Sequence, residues 1–230
     1  MHLEWGRAGL REAGRQADVV VVVDVLSFTT AVTVAAEHDV VVHPIRPGEP
    51  YAASVARRLG AHLAGKRGAA AVSLSPGTLA CLDAGERVVL ASPHGATLAL
   101  EAAATGASVV AASLRNAAAV GRWLGDHQRR VVVIAAGETW RDGAPRTAIE
   151  DLLGAGALLS HFPAATVSAE ARVAAEAFRG CRGEMEAILR GSTSGRELAA
   201  LGYVEDVICA SQLDASTVVP VLADGAFRPS

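Results

Sequence analysis

The sequence predicts an α/β protein, a three-layer α/β/α sandwich with a mostly parallel, possibly mixed sheet and a helical C-terminal third. Apolar β-branched runs alternate along the chain with segments of helical periodicity. The run Val19–Val23 contains five valines, which is typical of a strand buried on both faces. Only 4% of the residues are aromatic, so alanine, valine and leucine must build the core. We find no repeat or linker and expect a single domain over residues 1–230.

The predicted elements follow each other in βα order. The predicted strands are Val19–Val23, 39–44, 69–74, 87–92, 107–112, 129–137 and 217–222. The predicted helices are 29–38, 51–64, one ending at Thr105, one through Val120 and Leu124, 147–157, 170–178, 184–189, 192–201 and a short one from 205. Because proline has no N–H to donate, we expect Pro44 to end its strand and Pro220 to place the last strand at an edge or end of the sheet.

Composition excludes several classes of protein. A net charge of −3 argues against nucleic acid as the main partner, which would need a clustered basic surface. No run approaches the ~18 apolar residues of a membrane-spanning helix, and residues 1–7 do not resemble a signal peptide. The three cysteines, Cys81, Cys181 and Cys209, are too far apart to indicate a disulfide framework or zinc site, so we expect a reduced, cytoplasmic setting.

The first predicted strand ends on an acid and a hydroxyl-rich turn, Asp24 followed by Ser27, Thr29 and Thr30. In open α/β sheets, ligands bind at the carboxyl ends of strands, beside helix N-termini that have free N–H groups. These residues could therefore bind an anion. They fit equally well an acid that caps a turn and threonines that cap a helix.

Other strand ends carry polar residues of the same kind. His94 and Gly95 follow the strand 87–92, where His94 is either a surface histidine or a donor to an oxyanion. Asn116 follows the next strand. Glu150 and Asp151 lie in the first turn of a helix, where acids either interact with the helix dipole or hold a hard cation such as magnesium.

The stretch from Gly60 to Arg67 nearly matches the phosphate loop GxxxxGK[ST]. It has Arg67 where the motif has a hydroxyl, and it ends a helix instead of following a strand, so we reject a nucleotide-hydrolysing loop. Lys66 and Arg67 still place two cations between glycines, in either a surface turn or an anion clamp.

Carboxylates that hold magnesium, together with cations and helix N-termini that hold phosphate, suit phosphoryl transfer. No GxGxxG follows any predicted strand, so a dinucleotide-dependent dehydrogenase is excluded. The aspartyl-phosphatase pattern DxDx[TV] is absent too, because Asp24 has no second acid two residues later.

Several short motifs, taken in order, resemble those of the 2-phosphosulfolactate phosphatase family. They are Asp24–Thr30 (DVLSFTT), Gly65–Arg67 (GKR), Leu74–Pro76, Ser92–Thr97 (SPHGAT), Ser113–Val120, Ala136–Gly137, Glu150–Gly156 (EDLLGAG) and the segment Ser194–Pro220. The resemblance covers nearly the whole chain. It implies a homodimeric, magnesium-dependent phosphatase with α/β/α layers, acting on the phosphate ester of a sulfonated hydroxy acid in coenzyme M biosynthesis.

The sequence departs from the family pattern at defined positions. Ser27 replaces the arginine of DVLRATT, Lys66 replaces the acid of GER, and His94 lies within a changed TTNGT motif. Serine cannot reproduce the two-pronged anion binding of arginine, so the first departure bears on recognition of the sulfonate or phosphate.

We predict the following roles, and the resemblance carries over those of the residues that match the family pattern, namely Asp24, Thr29, Thr30, Arg67, Gly95, Asn116, Glu150 and Asp151. The predicted catalytic residues are Asp24, His94 and Arg67; the substrate-binding residues are Ser27, Thr29, Thr30, Lys66, Gly95 and Asn116; and the magnesium ligands are Asp24, Glu150 and Asp151. We therefore expect a magnesium-dependent phosphatase acting on 2-phosphosulfolactate or a related phosphorylated hydroxy acid. The alternative is a catalytically inactive relative that binds an anionic metabolite or a protein partner.

Overall fold

A computed structural model describes residues 1–125 and 129–230. Its strands are β1 (His2–Trp5), β2 (Val19–Val23), β3 (Val41–Ile45), β4 (His62–Leu63), β5 (Arg87–Ala91), β6 (Ser108–Ala112), β7 (Val131–Ala135), β8 (Glu138–Thr139), β9 (Pro145–Arg146), β10 (Pro220–Ala223) and β11 (Ala226–Pro229). Its α-helices are α1 (Gly6–Ala13), α2 (Phe28–Glu37), α3 (Ala52–Leu59), α4 (Pro76–Leu79), α5 (Gly95–Ala103), α6 (Ala117–Leu124), α7 (Ile149–Leu159), α8 (Ala169–Cys181), α9 (Met185–Gly191), α10 (Thr193–Ala200) and α11 (Val204–Ser211).

The sheet is mixed. Its order is β1-β7-β2-β6-β10-β11-β3-β5-β4, and β8 pairs separately with β9 as a hairpin. One parallel block contains β1, β7, β2 and β6, and a second contains β3, β5 and β4. The β10–β11 hairpin joins the blocks through three antiparallel pairings, so β3 runs antiparallel to β6. The predicted fold class is confirmed. Because the two parallel blocks run in opposite directions, parallel pairing alone does not bring the carboxyl ends of all strands to one edge of the sheet.

The central strand β2 explains the three layers. Val19, Val21 and Val23 pack into a cluster with residues of α6, α7 and α8. Val20 and Val22 point to the other face, into a cluster with residues of α1, α2 and α5. Successive side chains of a strand point to opposite faces, and each fully buried valine contributes about 1.5–3 kcal/mol. The five-valine run thus joins the helical layers through one strand.

Two element predictions in the first half of the chain are wrong. Residues 69–74 lie mostly in turns, where only an isolated bridge joins Ser73 to Gly65. The helix predicted over 51–64 ends at Leu59, because Gly60 adopts a left-handed conformation with φ of 58° and β4 begins soon afterwards.

The proline predictions also fail. Pro44 lies inside β3, whose pairing with β11 involves Val42 alone, so no ladder on that side requires the missing N–H. Pro220 is the first residue of β10, where proline is tolerated, and β10 lies in the interior of the sheet. No helix among residues 1–125 and 129–230 combines the length and apolar character needed to cross a membrane.

Candidate active site

Asp24 joins the end of β2 to the starts of two helices. Its Oδ2 accepts the N–H of Gly95 at 2.8 Å and the hydroxyl of Ser92 at 3.4 Å, and its Oδ1 accepts the N–H of Phe28 at 3.3 Å. Only 7% of Asp24 is exposed, and this burial raises the pKa of its carboxyl group. Asp24 therefore holds its own turn and the turn Ser92–Gly95 together. The hydrogen bonds that it accepts compensate the buried charge only in part.

The turn after Asp24 is held by two threonines. Thr29 Oγ1 accepts the N–H of Asp24 at 3.0 Å and donates to its carbonyl at 2.8 Å, and Thr30 Oγ1 donates to the carbonyl of Val25 at 2.8 Å. Both threonines are fully buried. The structure thus favours the capping interpretation, in which they stabilise the turn, over direct contact with a ligand.

Asp151, at the start of α7, joins two loops. Its carboxylate accepts the N–H of Val25 at 2.7 Å and that of Gly137 at 2.9 Å, which follow β2 and β7. Burial, and then the charges of Asp24 and Glu150, raise the pKa of Asp151 well above its usual range. Sequence reasoning could not find this role, because it depends on two backbone donors distant in the chain.

The neighbouring Glu150 is 2% exposed, and no residue in the described parts of the chain makes a hydrogen bond or ion pair with its carboxylate. Within those same parts, no three His, Cys, Asp or Glu side chains form a group that could hold a metal ion. Asp24, Glu150 and Asp151 are thus buried acids that do not form a three-ligand site by themselves.

A cavity of about 440 Å³ lies at the ends of β1 and β7, and we call it the histidine cavity. His94 Nε2 lies 3.1 Å from Glu138 Oε2 in its wall. The hydrogen bond to Glu138 raises the pKa of His94 against the opposing effect of burial, and the charge of Asp24 raises it further. The protonated form of His94 is therefore favoured relative to a free histidine, because one carboxylate holds the ring and the charge of a second acts on it.

Arg146, which the sequence analysis missed, also lines the histidine cavity. Its side chain is 7% exposed, and its Nη2 donates to Glu197 at 3.1 Å and, at 3.5 Å, to Ser194. Its guanidinium lies 5.2 Å from the ring centre of Trp140. The sequence carries no signal for this placement beyond the long polar loop 138–146. In the structure this loop forms the β8–β9 hairpin, which lies against α10.

A second cavity, of about 680 Å³, is lined by Lys66 and Arg67, and we call it the lysine cavity. Arg67 Nε donates to Asp206 at 2.9 Å, and its Nη2 donates to the Ser27 hydroxyl at 2.7 Å. The Ser75 hydroxyl also donates to Asp206. The ammonium group of the exposed Lys66, the single lysine of the sequence, forms no hydrogen bond or ion pair with any described residue. Two predicted residues, Ser27 and Arg67, thus meet directly.

The turn Ser92–Gly95 separates the two cavities. Pro93 lines the lysine cavity, and the adjacent His94 lines the histidine cavity. The predicted site residues therefore surround Asp24 but divide between two adjoining spaces. This arrangement brings Gly95, which follows β5, against Asp24, which follows β2, although the two strands belong to different parallel blocks.

Asn116 lies apart from both cavities. It is fully buried, its Oδ1 accepts the N–H of Ser113 at 2.8 Å, and its Nδ2 donates to the carbonyls of Ala111 and Val218, each at 3.2 Å. These bonds use its amide to cap the turn after β6 and to hold the segment before β10. In this structure the Asn116 amide supports the fold, and its role in substrate binding stays a prediction.

Comparison with known proteins shows the family of this chain. The sequence model of the family described as 2-phosphosulpholactate phosphatase matches residues 8–225. A Deinococcus radiodurans protein named as a probable 2-phosphosulfolactate phosphatase is 33% identical over 239 residues, covering 97% of this chain and 95% of the relative. A Symbiobacterium thermophilum protein of the same name is 32% identical, covering 93% of each chain. The chain therefore belongs to the 2-phosphosulfolactate phosphatase family.

Proposed function

We propose that the protein hydrolyses the phosphate ester of a small anionic hydroxy acid, 2-phosphosulfolactate or a close relative, with the aid of Mg²⁺. The family match and the names of the two relatives support this reaction class. The structural observation that carries the proposal is the His94–Glu138 pair in the wall of the histidine cavity, with the buried carboxylate of Asp24 close enough for its charge to raise the pKa of His94. Ester hydrolysis requires an acid for the leaving group and a cation that neutralises the phosphate, and a carboxylate such as Asp24 can hold that cation.

His94 is assigned as the general acid. The leaving group is the alkoxide of a hydroxy acid, which is strongly basic and leaves slowly unless it is protonated. The hydrogen bond to Glu138 raises the pKa of His94, which favours the imidazolium form that a general acid needs. Glu138 also fixes the orientation of the ring by pairing with Nε2, so Nδ1 of the imidazolium is the nitrogen that would pass its proton to the leaving group.

Asp24 is assigned as the principal residue for magnesium. Carboxylate oxygens suit this ion, which usually takes one or two protein carboxylates and completes its shell with water and substrate phosphate. Its Oδ1 makes only one long hydrogen bond, at 3.3 Å, and a cation would relieve the cost of burying its charge. The charges of Asp24 and Glu150 both act on the neighbouring Asp151 carboxyl group, whose pKa they raise, so the three predicted ligands lie close to one another. When bound, the ion would neutralise charge on the phosphate.

Positive charge in the lysine cavity supports binding of a multiply charged substrate. The Arg67 charge is largely compensated by Asp206, whereas Lys66 is unpaired among the described residues. We assign Lys66 and Arg67 to charge neutralisation and Ser27 to holding the Arg67 guanidinium, with Thr29, Thr30 and Gly95 maintaining the turns around Asp24.

The test is phosphate release from 2-phosphosulfolactate and a panel of other phosphorylated hydroxy acids, with Mg²⁺ and then with a chelator. We expect chelator-sensitive release by the wild type and a loss of at least 100-fold in kcat for Asp24→Asn. Asp142→Asn, on the exposed hairpin turn, is the matched control and should keep the wild-type rate. Full activity in Asp24→Asn would contradict the assignment of Asp24.

A catalytically inactive relative remains the second candidate. The observation that favours it is the pairing of Arg67 with Asp206 and Ser27, which leaves only Lys66 unpaired in the lysine cavity among the described residues. Calorimetry would show tight binding of the phosphorylated acids without turnover. A cytoplasmic homodimer working in coenzyme M biosynthesis remains a proposal from the resemblance, and light scattering would test the dimer.

A further inference from the structure

Two arginines line the histidine cavity, and they differ in how fully their donors are used. Arg7 engages Glu101 twice, through Nε at 3.0 Å and Nη2 at 2.5 Å, so one edge of its guanidinium is filled. Arg146 bonds through Nη2 alone, and its Nε and Nη1 donate to no described residue. Its side chain is nevertheless only 7% exposed. The unused donors of Arg146 are not among the buried unpaired atoms of the described residues, so they remain open to a ligand.

The partner of Arg146 is also weak. The Glu197 side chain is 61% exposed, and an ion pair of this kind contributes only about 0–1 kcal/mol. On the other side, the Arg146 charge lowers the pKa of both His94 and Glu138, so it acts within the histidine cavity. Trp140 packs against the guanidinium and limits its rotation. Arg146 is thus pre-oriented, incompletely paired and close to the proposed general acid.

We propose that Arg146 is the specificity-determining residue that binds the substrate carboxylate in the histidine cavity. This inference rests on the proposed function. A guanidinium presents coplanar N–H donors that bind two oxygens of a carboxylate in parallel, as they also bind two oxygens of a phosphate, and here the phosphate is already assigned to the magnesium ion at Asp24. Binding of the carboxylate at Arg146 would place the carbon that carries the phosphate ester beside His94, since the carboxylate is attached to that same carbon in a 2-hydroxy acid.

The experiment pairs protein variants with truncated substrates. We would measure kcat/KM for 2-phosphosulfolactate, for the phosphate ester of 2-hydroxyethanesulfonate, which lacks the carboxylate, and for 2-phospholactate, which lacks the sulfonate. In the wild type, loss of the carboxylate should lower kcat/KM on the order of 10- to 100-fold, as expected for a charge-assisted hydrogen bond. In Arg146→Gln that discrimination should vanish, while discrimination against 2-phospholactate persists.

The controls separate specificity from stability. Arg141→Gln removes the same charge from an exposed position on the same hairpin and should leave both discriminations unchanged. A purely structural Arg146 would slow all three substrates equally, which would overturn the proposal. If Arg146→Gln instead lost the discrimination against 2-phospholactate, Arg146 would bind the sulfonate. If Arg7→Gln lost the discrimination against the substrate without a carboxylate, Arg7 would bind the carboxylate. Either result would also overturn the proposal.

A binding measurement keeps the test independent of turnover. Calorimetry would compare 3-sulfolactate with 2-hydroxyethanesulfonate, in the wild type and in Arg146→Lys if Arg146→Gln does not fold. Preference for 3-sulfolactate in the wild type and its loss in the variant would support the proposal even if no ester were hydrolysed. Equal preference in both proteins would contradict it. If none of the three esters were hydrolysed but the binding preference were found, only the proposed function would be refuted.

Discussion

Replacement of Gly95 by alanine tests the packing around Asp24. A Cβ atom at Gly95 would lie 2.4 Å from Phe28 Cδ1, 2.7 Å from Phe28 Cβ and 2.6 Å from Asp24 Oδ2. Contacts below 3.0 Å force a neighbour to move. Phe28 is fully buried and packs edge-on against Phe227, with ring centres 6.0 Å apart, so it has little room to do so.

The magnitude follows from overpacking. An extra methyl group in a packed core costs about 1–3 kcal/mol, and the helix propensity of alanine returns well under 1 kcal/mol at the first residue of a helix. A net loss of about 2 kcal/mol would lower Tm by about 4–8 °C for a chain of this size. The same methyl group would displace Asp24 Oδ2 from the Gly95 N–H, so kcat should fall as well.

The assay is thermal unfolding followed by circular dichroism, with urea titration to compare free energies. Gly180→Ala is the matched control, because Gly180 lies in α8 with no atom within 4 Å of the added Cβ. The control should be as stable as the wild type or slightly more stable. If Gly95→Ala were as stable and active as Gly180→Ala, the described packing of Phe28 and Asp24 would be wrong.

Three further predictions concern charge. The pKa of His94 is raised, so its contribution to stability is complete below its unfolded pKa of about 6.5 and is lost as pH rises through the folded value. As the general acid it should give kcat an alkaline limb above pH ~6.5, which Glu138→Gln should move to lower pH. Asp151→Ala should lower the free energy of unfolding by about 2–4 kcal/mol, because it leaves two buried N–H groups unpaired. Lys66→Met should raise KM with little change in kcat, since its ammonium contributes charge to binding.

Each of these predictions has a clear contrary result. An alkaline limb at the same pH in Glu138→Gln would remove Glu138 as the cause of the raised His94 pKa. Asp142→Ala, which loses one hydrogen bond in an exposed turn, serves as the stability control. If Asp151→Ala lowered the free energy of unfolding no more than this control, Asp151 would not hold the loops after β2 and β7 together. An unchanged KM in Lys66→Met would exclude Lys66 from substrate binding. Reductive ¹³C-methylation provides a direct check of whether substrate contacts Lys66, because Lys66 is the single lysine and its labelled amine can be followed on its own.

Local patterns predicted the centre of the fold well. The run Val19–Val23 needed only its own composition to be identified as a strand buried on both faces. The four-residue strands β1 and β11 were missed, because so short a segment carries no readable period. The antiparallel insertion of β10 and β11 was missed for the same reason, and it places Pro220 in the interior of the sheet.

The candidate site was predictable in part. Asp24, Gly95 and His94 come together as expected, since each follows a strand directly. Glu138 as the partner of His94, and Arg146 beside them, depend on a hairpin whose folded shape is set by contacts with α10. The capping role of Asn116 was not predicted, because the same amide chemistry that binds a ligand can cap a turn, and only the three-dimensional neighbours reveal the capping bonds.

The most direct test of the central claim compares two histidines of this chain. His94 and His62 each pair with a glutamate, at 3.1 and 2.9 Å, but His62 pairs with Glu86 at the exposed edge strand β4. We would measure phosphate release from 2-phosphosulfolactate with Mg²⁺ for the wild type, His94→Gln and His62→Gln. The account predicts a kcat lower by about 10²–10⁴-fold in His94→Gln alone, the contribution typical of a general acid. Equal rates in all three folded proteins would contradict it.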